Sequence, residues 1–122
     1  MNSYKNQRFR VRLGFALQGL KHALRIERSL RVQAAVFAAA LVALTVLRPA
    51  ALWWAVVLLA SAAVIAAELF NTAIEHLADL LHPEDSPRIR IVKDCAAAAV
   101  LIAVLGALAV AVALIVHLLA RA

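Results

Sequence analysis

Glu68, Asn71, Glu75 and Asp79 are spaced i, i+3, i+7 and i+11, which stacks them on one side of a helix. The surrounding residues are almost all Ala, Leu, Ile and Val, and a charge-free apolar run, Ala50 to Ala67, comes directly before them. Carboxylates at the end of a membrane span are costly unless they are used. A Lys93-Asp94 pair sits just before the next apolar run. Acids, an amide and a lysine gathered at a membrane surface suit chemistry on a polyphosphate.

Each residue type has a physical role in that chemistry. Glu68 and Glu75 are about 10 Å apart along a helix, too far to share one proton and suited to two separate jobs. Hard cations such as Mg²⁺ take carboxylate oxygens and bound phosphates, so Glu75 is a candidate metal ligand, and Glu27 is a candidate second one. Lys93 is a point charge suited to polyphosphate. Asn71 can donate and accept hydrogen bonds and so orient a phosphate or a neighbouring carboxylate. Phosphoryl transfer asks chiefly for positioning and charge neutralisation, and this set supplies both without a Gly-rich loop. No Walker A or protein-kinase signature is present. From spacing alone two other readings stay open: a helix-terminal salt-bridge network, such as Asp79 with Arg88, and a proton or ion relay in a small transporter.

The elements that must position these residues follow from composition. The chain has 122 residues, is 66% hydrophobic and has a mean hydropathy of +0.90, too apolar for a soluble domain of this size. Three apolar runs stand out: Val32 to Leu47, Ala50 to Ala67 and Cys95 to Leu119, of 16, 18 and 25 residues. A span needs roughly 20 residues, so the third run is ample, the second adequate, and the first sufficient if Arg31 and Arg48 snorkel outward. Trp53 and Trp54 sit where interfacial aromatics belong. Before the first run, Phe9, Leu13, Ala16, Leu17, Leu20, Ala23, Leu24 and Ile26 recur near helical spacing among basic residues, the pattern of an amphipathic helix lying on a membrane.

The expectation is therefore a single all-α membrane domain: an interfacial helix over 1–29, spans over 30–48, 50–81 and 93–119, and a loop over 82–92. The second span is expected to continue past the membrane to Leu81, until His82-Pro83 breaks it. The polar, basic start of the chain lacks the pattern of a cleavable signal. The lone Cys95 reads as a buried bystander, and His22, His76, His82 and His117 share no metal-ligand spacing.

The net charge of +6 does not point to nucleic acid, because eight of the thirteen basic residues lie in the first 31 positions, ahead of a membrane-like run. Anionic headgroups explain them better. Only Arg48 lies between the first two runs, whereas Arg88, Arg90 and Lys93 lie between the second and third. The positive-inside rule then puts the N-terminus and the acidic stripe in the cytoplasm, on the ATP side.

The run Glu68-x-x-Asn71-Thr72-Ala73-Ile74-Glu75-x-x-x-Asp79, followed by Lys93-Asp94-x-x-Ala97-Ala98-Ala99-Val100-Leu101, resembles the prokaryotic diacylglycerol kinase family. These are small integral-membrane lipid kinases that include the undecaprenol kinases. Upstream, Gly19-Leu20-x-x-Ala23-x-x-x-Glu27-x-x-x-Arg31 looks like the family's interfacial helix and its exit into the first span. The resemblance implies a homotrimer of three-span protomers in a bacterial inner membrane, transferring the γ-phosphate of MgATP to a lipid hydroxyl. Carried over by position, Glu68 would be the general base, with Asn71 beside it. Glu27 and Glu75 would hold the metal and the nucleotide. Phe15, Glu84, Lys93 and Asp94 would complete the ATP site, and Arg8 and Arg31 would contact the lipid.

Three positions depart from the subgroups' patterns. Phe15 lacks the hydroxyl of an enterobacterial Tyr, and Ser86 stands where those members carry His. Where undecaprenol kinases read Glu-x-Asn-x-Arg-x-His, this chain reads Glu27-x-Ser29-x-Arg31-x-Gln33. Diacylglycerol is the expected acceptor and undecaprenol the alternative. A proton-coupled transporter is the rival outside the class, but it would want an acid inside an apolar run, and none lies there. A non-enzymatic membrane adaptor would not explain acids, amide and Lys-Asp at one depth.

Overall fold

The computed structural model describes residues 8–122 and has four α-helices: α1 (Phe9–Ile26), α2 (Arg28–Leu47), α3 (Ala51–Leu81) and α4 (Pro87–Arg121). The expected all-helical architecture holds among the described residues. The expected interfacial helix before Arg8 lies outside them. Three helices are long and apolar enough to cross a membrane, with mean hydropathies of 2.0 for α2, 2.1 for α3 and 3.1 for α4.

Helix length explains why the polar residues gather at one end. At ~1.5 Å per residue, the 20 residues of α2 match a ~30 Å hydrocarbon layer. The 31 of α3 and 35 of α4 overrun it by roughly 17 and 23 Å. The overrun must fall where the charges are: the last turns of α3, from Glu68 on, and the first turns of α4, before Cys95. The short connection at residues 82–86 joins those two ends, so both overruns lie side by side.

Three junctions set the topology. At the first, Glu27 leaves the helical region (φ −104°, ψ 114°) while its N–H still donates to Ala23 O at 2.8 Å. This one extended residue ends α1 at Ile26 and starts α2 at Arg28, so Arg28 and Ser29 belong to the spanning helix, not to the interfacial one. Arg31 Nη1 reaches back to Leu24 O (3.0 Å) and Arg25 O (2.8 Å), satisfying carbonyls that the end of α1 leaves open. At the second, Arg48 adopts the left-handed conformation (φ 49°, ψ 53°) that closes many helices, and the buried Pro49 prevents continuation. At the third, Ser86 Oγ accepts from Ile89 N–H at 3.3 Å and Pro87 opens α4, a Ser-Pro start with the missing N–H where none is needed. The Ser86 side chain is thus spent on a helix cap.

α3 is the central helix. It packs chiefly against α4, then against α2, and α1 touches both α2 and α3. The interior is small: among the described residues, Ala23, Leu30, Leu44, Val64, Ala78 and Ala96 are the buried aliphatic side chains. Leu30 and Leu44, fourteen residues apart on one face of α2, are the largest side chains fully enclosed. Valines and leucines along α2 and α4 stand outward, as expected of surfaces that meet lipid or other helices rather than water. Cys95, expected to be buried, is exposed, because α4 turns only its neighbour Ala96 into the packed interface. Trp53 packs against His117 across α3 and α4, with ring centroids 5.3 Å apart.

Candidate active site

α3 carries the site because its helical period brings four of its polar residues to one side over about 16 Å, from Glu68 to Asp79. Glu68 is only 5% exposed. A carboxylate so enclosed needs a partner, and Ser29 Oγ, in the first turn of α2, donates to Glu68 Oε2 at 3.0 Å. One turn on, Asn71 Oδ1 is buried with no hydrogen-bond partner among the described residues. Buried amide oxygens are normally satisfied, so an orphaned one calls for an explanation, and a bound group that donates to it is one. Thr72, 7% exposed, closes the same stretch of helix.

Further along, Glu75 is half-buried. The next residue, His76, meets His22 of α1 edge to face, with ring centroids 6.2 Å apart. That contact docks α1 on α3 at the level of Glu75, and Glu27 follows His22 by a little more than one helical turn. Asp79 Oδ1 then accepts from Lys93 Nζ at 2.6 Å, across the α3–α4 junction. Arg88 is not its partner. Asp85 pairs instead with Arg90 at 3.6 Å. His82 and Glu84 join Asp79, Asp85, Arg90 and Lys93 around a polar hollow of about 260 Å³.

The sequence-selected residues thus fall into groups. Glu68 and Asn71 form a buried polar step at the membrane end. Glu75 lies midway along the stripe. Glu84 and Lys93 line the polar hollow with Asp79. Glu27 is the elbow residue between α1 and α2, half-buried. Asp94 is exposed on α4. Arg8 precedes α1 and Phe15 lies on it, both exposed. Arg31 caps the end of α1, so its guanidinium is engaged with backbone.

Among the described residues, no three of His, Cys, Asp and Glu converge on one point. The donors near the stripe are nonetheless hard oxygens, carboxylates plus the orphaned Asn71 amide oxygen, and these suit a cation that keeps waters and shares phosphate oxygens. A separate apolar hollow of about 280 Å³ between α2, α3 and α4, lined by residues such as Val36, Leu44, Val57 and Leu114, contains no titratable group. It is packing space, not reaction space.

Sequence spacing did not single out Ser29, Thr72 or the His22–His76 contact. Ser29 and Glu68 are 39 residues apart, so only the fold joins them.

Comparison with known proteins gives a consistent picture. The family described as prokaryotic diacylglycerol kinase matches residues 14–115. A diacylglycerol kinase from Synechocystis sp. is 35% identical over 101 residues, covering 82% of this chain and 58% of that protein. An undecaprenol kinase from Bacillus subtilis is 32% identical over 83 residues, covering 68% of each chain. The chain therefore spans a little over half the length of the first relative and two thirds of the second. No solved structure matches it.

Proposed function

The chain belongs to the prokaryotic diacylglycerol kinase family, and on that premise we propose that it is a lipid kinase, transferring the γ-phosphate of ATP to the hydroxyl of a membrane lipid. The observation that carries the reading is the pairing of a buried carboxylate, Glu68, with an orphaned amide oxygen, Asn71 Oδ1, one turn apart at the membrane end of a polar stripe. A kinase for lipid alcohols needs a base at the depth where the alcohol sits, and charge-neutralising groups one nucleotide's reach away in water.

The lipid's tail stays in the bilayer and its hydroxyl meets Glu68. The carboxylate takes the hydroxyl proton as the alkoxide oxygen attacks the γ-phosphorus, and the bond from that phosphorus to the β–γ bridging oxygen breaks to release ADP. Asn71 Oδ1, which has no partner among the described residues, accepts from the lipid hydroxyl, and its Nδ2 can donate to a phosphoryl oxygen. Lys93 neutralises phosphate charge at the polar hollow, with Glu84 and Asp94 nearby along the same junction. Phe15 and Arg8, both exposed near the start of α1, are assigned to the nucleotide and the lipid by their match to the family's positions. Glu27 and Glu75 are the residues that would hold Mg²⁺, which supplies Lewis-acid neutralisation of the phosphate oxygens.

Diacylglycerol is the favoured acceptor, giving phosphatidic acid, and undecaprenol the alternative. Ser29 departs from the undecaprenol kinase pattern, and Phe15 and Ser86 depart from the enterobacterial one, so the acceptor is a matter for assay. The distribution of basic residues supports a bacterial inner-membrane protein with the stripe facing the cytoplasm. An oligomer is proposed because one three-span protomer has too small an interior to enclose both substrates, and the family resemblance makes it a homotrimer. Incubating the purified protein with MgATP and a panel of lipid alcohols tests the function. Phosphorylation of diacylglycerol supports it, and transfer to undecaprenol alone moves the assignment to the alternative.

A further inference from the structure

Resting on the lipid-kinase reading above, we propose that Ser29 is a positioning residue that holds the Glu68 carboxylate in its reactive orientation. Glu68 is 5% exposed, and its one hydrogen bond among the described residues is the 3.0 Å contact from Ser29 Oγ to Oε2. A glutamate has three rotatable side-chain bonds, and a base that samples several orientations spends little time aimed at its proton donor. Fixing Oε2 fixes the plane of the carboxylate and leaves Oε1 to receive the acceptor's proton.

The donor comes from a rigid frame. Ser29 is the second residue of α2, whose start is defined by the single extended residue Glu27 and braced by Arg31 on the carbonyls of Leu24 and Arg25. A serine in a first helical turn often bonds local backbone. Here the hydroxyl instead crosses to another helix. The contact also sets the carboxylate against the N-terminal end of α2, where negative charge is favoured. Ser29 thereby couples the elbow at Glu27 to the orientation of Glu68: the same turn of chain carries a metal-ligand candidate and the group that aims the base.

The test compares wild type with Ser29→Ala, Ser29→Cys and Ser29→Thr in lipid–detergent micelles, measuring kcat and KM for MgATP and for the lipid, with helical content and melting followed in parallel. Ser29→Ala is expected to lower kcat roughly tenfold or more while both KM values stay within about twofold, and Ser29→Thr, which keeps the hydroxyl, to recover most of the loss. Ser29→Cys keeps the volume but donates weakly, so it is expected to behave like alanine, and it decides the matter should the alanine variant fail to fold. A folded Ser29→Ala or Ser29→Cys with wild-type kcat, a loss confined to KM, or a threonine variant no better than alanine overturns the proposal. Wild-type protein that phosphorylates no lipid alcohol overturns the kinase reading and this proposal together. An active wild type with indifferent Ser29 variants overturns this proposal alone.

Discussion

Lys93 Nζ lies 2.6 Å from Asp79 Oδ1, tying the last turns of α3 to the first turns of α4 at the rim of the polar hollow. The Asp79 side chain is 63% exposed, so water and salt screen the pair and it contributes little to holding the helices together. Its consequence is on the lysine, whose charge it holds beside the hollow, where the proposed function needs a cation for phosphates. Lys93→Met is expected to raise KM for MgATP about tenfold and to leave the melting temperature unchanged. Asp79→Asn, which removes only the competitor, is expected to keep kcat within about threefold of wild type. Steady-state kinetics and thermal melts on both variants check this.

Asn71 carries a buried Oδ1 with no partner among the described residues, which is a cost in the free protein. Replacing it by alanine removes that cost. Asn71→Ala is expected to melt at the wild-type temperature or slightly above while kcat falls on the order of a hundredfold. A variant that loses activity and stability in parallel would instead make Asn71 a packing residue.

Arg31 bonds two carbonyls at the end of α1. Arg31→Met keeps the aliphatic stem and removes the fork. The last turn of α1 is then expected to fray, with amides of residues 23–27 exchanging roughly tenfold faster and those of α3 unaffected. Hydrogen exchange read by mass spectrometry resolves these segments.

Arg48 holds a left-handed conformation that costs a non-glycine residue about 1 kcal/mol. Arg48→Gly is expected to stabilise the protein by roughly 0.5–1 kcal/mol without altering kcat, since the α2–α3 turn lies at the far end of the spans from Glu68. Denaturation in detergent with parallel kinetics measures both.

The helical architecture was legible because its signals are local. Apolar runs bounded by Arg48-Pro49 and His82-Pro83 mark the spans, and the i, i+3, i+7, i+11 spacing marks the stripe. The elbow was misplaced by a few residues because nothing in Gly19 to Arg31 breaks a helix by residue type. It is the extended Glu27 backbone, braced by Arg31, that does so. Ser29 was visible only as a departure from a pattern, since its partner lies 39 residues away and side-chain pairing at that range is a property of the fold. Cys95 was misjudged because an alanine-rich stretch gives no hint of which face packs. Asp79 read as a candidate for Arg88, yet the turn at residues 82–86 brings Lys93 to it instead.

The most direct test of the central claim is transfer of radiolabelled γ-phosphate from ATP to diacylglycerol in micelles, comparing wild type with Glu68→Gln. The account predicts labelled phosphatidic acid from wild type, and a drop of several orders of magnitude for the variant at unchanged helical content and melting temperature. Wild-type-like transfer by a correctly folded Glu68→Gln would contradict the role given to the buried carboxylate.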